Sequence, residues 1–252
     1  MKEMERLLGI MKDIRQNCPW DAKQTHDSLK RYLLEEAYET IEVIDQKNMD
    51  SLKSELGDIL LQIVFHSEIA SENNSFTFKD VVNAISDKMV ERHPHVFQEN
   101  GKVTAEEVQE NWEKNKHKKE KRESILSGIP IYLPALLKAQ RLQDKASSIG
   151  FDWDEINDVI KKLEEEVSEF KVAVKENNSL NIEKEFGDIL FTLVNISRFT
   201  NVISEDALHK TNTKFIKRFN FIEKQFNNNP EKMSAASMKE LDTLWEKSKD
   251  FD

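Results

Sequence analysis

Two acidic motifs recur in this chain at one fixed displacement, and that recurrence restricts the fold more than any other feature. Glu35-Glu36-Ala37-Tyr38-Glu39 returns as Glu165-Glu166-Val167-Ser168-Glu169, and Glu55-Leu56-Gly57-Asp58-Ile59-Leu60 returns as Glu185-Phe186-Gly187-Asp188-Ile189-Leu190. Both returns lie 130 residues on, so the spacing between the acidic motifs is the same in each copy. Weaker echoes accompany them. Trp20-Asp21 matches Trp153-Asp154, Lys88-x3-Arg92 matches Lys214-x3-Arg218, and Asn111-Trp112-Glu113-Lys114 matches Leu244-Trp245-Glu246-Lys247. The chain of 252 residues therefore reads as a duplicated module. One copy occupies residues 1–121, a connector 122–134, and the second copy 135–252. The connector holds Gly128, Pro130 and Pro134, which forbid a continuous helix.

The modules read as all-α, about ten helices with no convincing strand. Only 6 Gly and 5 Pro interrupt the chain, well under the usual combined share of ~12%. Capping-box spacing marks two helix starts, Thr104…Glu107 and Ser237…Glu240. In the first acidic helix, Glu35, Glu36 and Glu39 share one arc, with Leu34, Ala37, Ile41 and Ile44 opposite, which by itself is ordinary amphipathicity. The second acidic helix differs. Leu56, Ile59, Leu60, Leu61, Ile63, Val64 and Phe65 cover nearly its whole circumference, as Phe186, Ile189, Leu190, Phe191, Leu193 and Val194 do in the other copy. Such helices are expected to be buried, with their acids confined to a polar window. Gly57 and Gly187 cost ~1 kcal/mol each in a helix interior, which suggests a close approach by a neighbouring helix.

Carboxylates converging in a poorly hydrated place repel one another unless a cation joins them. Oxygen-only ligands favour Mg²⁺, with Mn²⁺ as a substitute or Ca²⁺. Glu36 with Glu39, and Glu55 with Asp58, each project from one helix face, so two packed helices offer four carboxylates. A metal-held polyanion also needs cations, for which Lys214 with Arg218 and Lys88 with Arg92 are candidates. Trp245 and Trp112 could stack on a base. No serine or cysteine nucleophile setting is visible, so the expected attacker is water, with Glu165 or Glu35 as the spare carboxylate.

Composition removes other classes. With 47 acidic against 37 basic residues and a formal charge of −10, general affinity for nucleic-acid backbone is not expected. No segment approaches the ~18 apolar residues of a membrane span. Cys18 is the single cysteine, which fits a cytoplasmic protein without internal disulfides. His26, His66, His117 and His209 read as scattered, and His93 and His95, flanking Pro94, lack helical ligand spacing. A di-iron carboxylate bundle needs Glu-x2-His motifs, which these acid pairs do not supply.

The pattern Glu-Glu-x2-Glu, spacer, Glu-x2-Asp resembles the signature of the MazG nucleoside triphosphate pyrophosphohydrolases, of the all-α NTP pyrophosphatase superfamily. The likeness extends to Cys18-Pro19-Trp20-Asp21, Arg92-His93-Pro94-His95-Val96-Phe97, Leu133-Pro134-Ala135-Leu136, Ala139-Gln140 and Gly150-Phe151-Asp152-Trp153. It implies two tandem four-helix modules, a homodimer, a housecleaning or stress-related role, and Mg²⁺-dependent cleavage of NTPs and dNTPs between the α and β phosphates. It also implies that the C-terminal copy is the main catalytic one. Its metal ligands would be Glu166, Glu169, Glu185 and Asp188, and its catalytic carboxylates Glu165 and Glu166. Its nucleotide contacts would be Lys162, Glu165, Lys184, Lys214, Arg218 and Trp245. A second metal set, Glu36, Glu39, Glu55 and Asp58, would lie in the N-terminal copy. There Tyr32 and Ser54 stand where the other copy has Lys162 and Lys184, so weak NTP turnover or another nucleotide preference is expected of it. A relative acting on dUTP, dCTP or phosphoribosyl-ATP, and a nucleotide-sensing module without turnover, are the alternatives.

Overall fold

The computed structural model describes residues 2–97, 104 and 124–251. It is helical, with no strand among the described residues. The chain divides into two compact units, 1–104 and 105–252. The module boundary expected near residue 121, the cap pair Thr104…Glu107 and Trp112 fall wholly or partly outside the described residues.

The first unit contains α1 (Lys2–Asn17), α2 (His26–Asp45), α3 (Met49–Glu72), α4 (Phe78–Arg92) and the short α5 (Pro94–Phe97). The second contains α6 (Ala135–Ser147), α7 (Ile156–Lys175), α8 (Ser179–Phe199), α9 (Ser204–Gln225), the short α10 (Pro230–Ser234) and α11 (Met238–Ser248). In each unit the two acidic helices form the most extensive packing, α2 on α3 and α7 on α8. The preceding helix, α1 or α6, leans on the second of the pair.

The same local chemistry turns both acidic hairpins. Lys47 and Asn177 take left-handed backbone (φ 56° and 52°) just past the first helix. Asn48 and Asn178 then cap the second, their side chains accepting from the Ser51 and Asn181 amides at 3.1 and 3.3 Å. The Asn48 and Asn178 amides reach back to the Val43 and Ala173 carbonyls, a Schellman-type closure that satisfies carbonyls otherwise orphaned. A short turn of fixed geometry sets the register of the two helices, and with it the meeting of the acids. Ser237 caps α11 by accepting from the Glu240 amide at 3.2 Å.

The first unit is cored by Met11, Leu29, Val64, Phe65 and Ile69, with Tyr32 and Leu60 packed against them. Its first and third helices are tied by Arg15, whose Nε and Nη2 donate to the Glu72 carboxylate at 2.8 and 2.5 Å while Nη1 donates to the Asp21 and Gln24 carbonyls. The second unit makes the corresponding tie with the charges exchanged. Asp144 on α6 and Asp152 in the following loop accept from Arg198 of α8 at 3.1 and 2.7 Å. Buried Lys145 donates to the Ile125 carbonyl at 3.1 Å, which pins the connector to α6.

The acidic helices are not buried all round. Leu56 and Ile63 of α3, and Phe186, Leu190, Phe191 and Leu193 of α8, are exposed, Leu56 and Phe186 each to 53%. Leu34, Ile41 and Ile44 of α2 are exposed as well. A Cβ added at Gly57 or Gly187 would meet nothing within 4 Å, so the close approach expected at these glycines is not made by a described helix. No helix among the described residues is long and apolar enough to cross a membrane.

Candidate functional site

The α7–α8 hairpin gathers the predicted acids of the second unit. Carboxylate oxygens of Glu166, Glu185 and Asp188 come within 4.8 Å of one another. Glu166 and Glu185 are buried, at 5% and 7% exposure. Glu169, on the exposed rim, belongs to the same field. Loss of hydration, then the charges of Glu185 and Glu166, push its carboxyl above the ordinary value. The first unit repeats the arrangement with Glu36, Glu39 and Glu55 within the same 4.8 Å. Desolvation and the charges of Asp58, Glu39 and Glu55 raise Glu36, and desolvation with Glu55 leading the nearby charges raises Glu39. The two sets thus differ in which acid stands at the edge, Glu169 in one and Asp58 in the other.

Two lysines attend the C-terminal set. Lys162 Nζ lies 2.7 Å from Glu165 and 2.8 Å from Glu166. Lys184 Nζ lies 3.0 Å from Glu185 and 3.7 Å from Asp188. Hydrogen bonds to Glu165 and Glu166 raise the Lys162 pKa further above its ordinary value, and Glu185 does the same for Lys184. The other Glu185 oxygen, Oε2, is buried without a hydrogen-bond partner, an expensive state for a carboxylate. A hard divalent cation fits this donor set: crowded oxygens, one of them unsatisfied, on a rigid hairpin.

In the first unit Tyr32 occupies the position of Lys162. Trp20 meets its ring edge-on at 6.2 Å, and Arg31 both stacks on the ring at 4.6 Å and donates to the hydroxyl at 2.7 Å. Ser54, in the place of Lys184, is exposed.

The remaining expected nucleotide contacts form a second cluster, on α9 and α11. Lys214 is exposed and Arg218 half-buried, and the Arg218 guanidinium lies over Trp245 at 5.3 Å. Phe215 packs on Trp245 at 5.3 Å and on Phe219 at 5.9 Å. The sequence reading missed both phenylalanines, although their i, i+4 spacing around the Lys214/Arg218 pair was visible. Phe219 also lines a recess of about 370 Å³ with Pro230, Met233 and Leu241. The two clusters stand on separate helix pairs, both of which pack against α6. In the first unit Lys88 and Arg92 lie on α4, Lys88 exposed and Arg92 half-buried.

One histidine expectation fails. His26, at the start of α2, and His66, in α3, are stacked at 5.1 Å and share a 2.8 Å Nδ1–Nδ1 hydrogen bond. Burial, then proximity to His26, holds the His66 pKa below its ordinary value. His117 is outside the described residues.

Comparison with known proteins agrees with this architecture. The MazG nucleotide pyrophosphohydrolase domain matches residues 24–97 and again 155–221, so each acidic hairpin lies within one match. The chain is 44% identical over 252 residues to the nucleoside triphosphate pyrophosphohydrolase/pyrophosphatase MazG of Thermotoga maritima, covering 98% of this chain and 96% of that one. It is 37% identical over 257 residues to the nucleoside triphosphate pyrophosphohydrolase of Escherichia coli K12, covering 99% and 98%. The uncharacterized protein YabN of Bacillus subtilis is 42% identical over 98% of this chain and 52% of its own length. With two domain matches and near full-length similarity, the chain belongs to the MazG nucleotide pyrophosphohydrolase family.

Proposed function

We propose that the C-terminal unit hydrolyses nucleoside and deoxynucleoside triphosphates between the α and β phosphates, giving a monophosphate and pyrophosphate. The observation that carries this reading is the lysine-flanked carboxylate cluster of α7 and α8, with Glu166 and Glu185 buried. Family membership and the names of the near full-length relatives support it.

Glu166, Glu169, Glu185 and Asp188 would hold Mg²⁺, or Mn²⁺ in its place. Bound there, the ion would neutralise phosphate charge and lower the pKa of an attacking water. Glu165, exposed at the rim, would accept that water's proton as general base. Lys162 and Lys184, already beside the carboxylates, would meet phosphate oxygens of an entering triphosphate. Lys214 would add a further cation, and Trp245 with Arg218 offers a flat, charged surface on which a base can stack.

The N-terminal unit is proposed to bind the same kind of ion through Glu36, Glu39, Glu55 and Asp58. It would turn over NTPs poorly because Tyr32 and Ser54 supply no phosphate cation. A homodimer is proposed from the exposed apolar face of α8, Phe186, Leu190, Phe191 and Leu193, beside a glycine that leaves open space. Light scattering on the purified chain tests the dimer.

The activity test is an assay of the eight common NTPs and dNTPs with Mg²⁺, scoring pyrophosphate and monophosphate separately from orthophosphate. Pyrophosphate with NMP, lost on chelation, is the expected result. Orthophosphate with NDP would refute the cleavage position, and nucleotide binding without turnover would favour a sensing module.

A further inference from the structure

The lysines of the C-terminal site do something that helix packing does not require. In the first unit Glu36, Glu39 and Glu55 come within 4.8 Å of one another, as Glu166, Glu185 and Asp188 do in the second, with Tyr32 and Ser54 in the lysine positions. The hairpin therefore assembles without Lys162 and Lys184. In the second unit both ammonium groups sit on oxygens that a cation would also need. Lys162 lies 2.8 Å from buried Glu166, and Lys184 lies 3.0 Å from buried Glu185 and 3.7 Å from Asp188. The unpartnered Glu185 Oε2 marks the same place as short of positive charge.

A lysine and a dication cannot both lie 3 Å from one carboxylate oxygen without repelling each other. A triphosphate offers the lysines other anions. We infer that Lys162 and Lys184 are internal counterions of the C-terminal carboxylates, competing with the divalent ion until a triphosphate draws them away, so that ion and nucleotide bind this unit cooperatively. The inference rests on the triphosphate reading above, but its central measurement needs no nucleotide and no turnover. By linkage, the same coupling makes the ion strengthen nucleotide binding by an equal factor.

The test is a Mn²⁺ titration of the full chain, followed by electron paramagnetic resonance of free Mn²⁺. Glu36→Gln and Glu39→Gln are included throughout so that the C-terminal site is the one read. Without nucleotide, adding Lys162→Met and Lys184→Met is expected to tighten Mn²⁺ binding by a factor within the usual coupling range, about 5- to 150-fold. Lys161→Met is the control for bulk charge. It removes a lysine from the same helix whose ammonium is held by Asp158 at 2.8 Å, and it should change Mn²⁺ affinity far less. A non-hydrolysable triphosphate analogue should then strengthen Mn²⁺ binding less in the double-lysine variant than in its parent.

Circular dichroism checks folding, and Lys162→Gln with Lys184→Gln serves as a second pair. Equal or weaker Mn²⁺ binding in the lysine variants would overturn the inference, as would a tightening matched by Lys161→Met. So would absence of Mn²⁺ from this site in every variant. A tightened site in a chain that makes no pyrophosphate from any NTP would sink the activity reading and leave the inference standing.

Discussion

Glu166 and Glu36 are equivalent residues in a duplicated motif, yet their surroundings assign them different consequences. Glu166 is buried and paired with Lys162, whereas Glu36 is half-buried and stands among acids that raise its pKa. Glu166→Gln should lower NTP hydrolysis by more than ~100-fold, since losing even a supporting partner of a metal ligand costs 10–100-fold. Glu36→Gln should leave most of the activity. The reverse order in a steady-state assay would reassign the catalytic unit. His66 provides a second residue-level prediction. Its folded pKa lies below the ordinary 6.5, so the folded state binds its proton less readily than the unfolded chain does. Stability is thus present above about pH 6.5 and is lost as pH falls from there through the folded pKa. His66→Gln should flatten that part of a melting-temperature profile, and an unchanged profile would show that the pair does not matter. The carboxylates were legible in the sequence because the repeat displays them twice. The histidine pair was not, since its members are 40 residues apart and meet only once the α2–α3 register is set.

At the scale of the element, periodicity found the helices and misjudged their surroundings. Leu56, Ile63, Phe186 and Leu193 did mark strongly apolar faces, but sequence pattern cannot say whether the cover comes from the same chain or another molecule. The connector's prolines and glycine were readable as a break, and residues 125–134 are indeed non-helical. The Asn48 and Asn178 caps were readable in principle, at the same displacement as the acids. The glycines invite a direct experiment. Gly187→Ala enters open space in the single chain, so it should stabilise α8 by up to ~1 kcal/mol through helix propensity alone. If a second copy covers this face, the same change should weaken the dimer. Paired denaturation and sedimentation measurements separate the two effects. Loss of stability without any change in assembly would contradict the open environment seen at Gly187.

The whole molecule carries two acid clusters that differ in how they are neutralised, and pH should expose the difference. Glu36 and Glu39 in one unit, and Glu169 in the other, have carboxyl pKa values raised above 4.5 by desolvation and neighbouring acids. A raised acid binds its proton more tightly when folded than when unfolded. Its contribution is therefore complete below about pH 4.5 and is lost as pH rises through the folded value. A divalent cation supplies the missing positive charge, and it binds better as the carboxylates ionise. Mg²⁺ or Mn²⁺ should consequently raise the melting temperature more at pH 7 than at pH 5. At one hundred times Kd, the linkage amounts to about 2.7 kcal/mol per site. Glu36→Gln with Glu39→Gln should remove the share that belongs to the first unit, while Glu185→Gln should remove that of the second. Because Lys162 and Lys184 already neutralise part of the second cluster, the nucleotide-free cation effect should be larger in the first unit. Calorimetry on the two variants decides this. A larger nucleotide-free shift from the C-terminal unit would mean that its lysines do not oppose the ion.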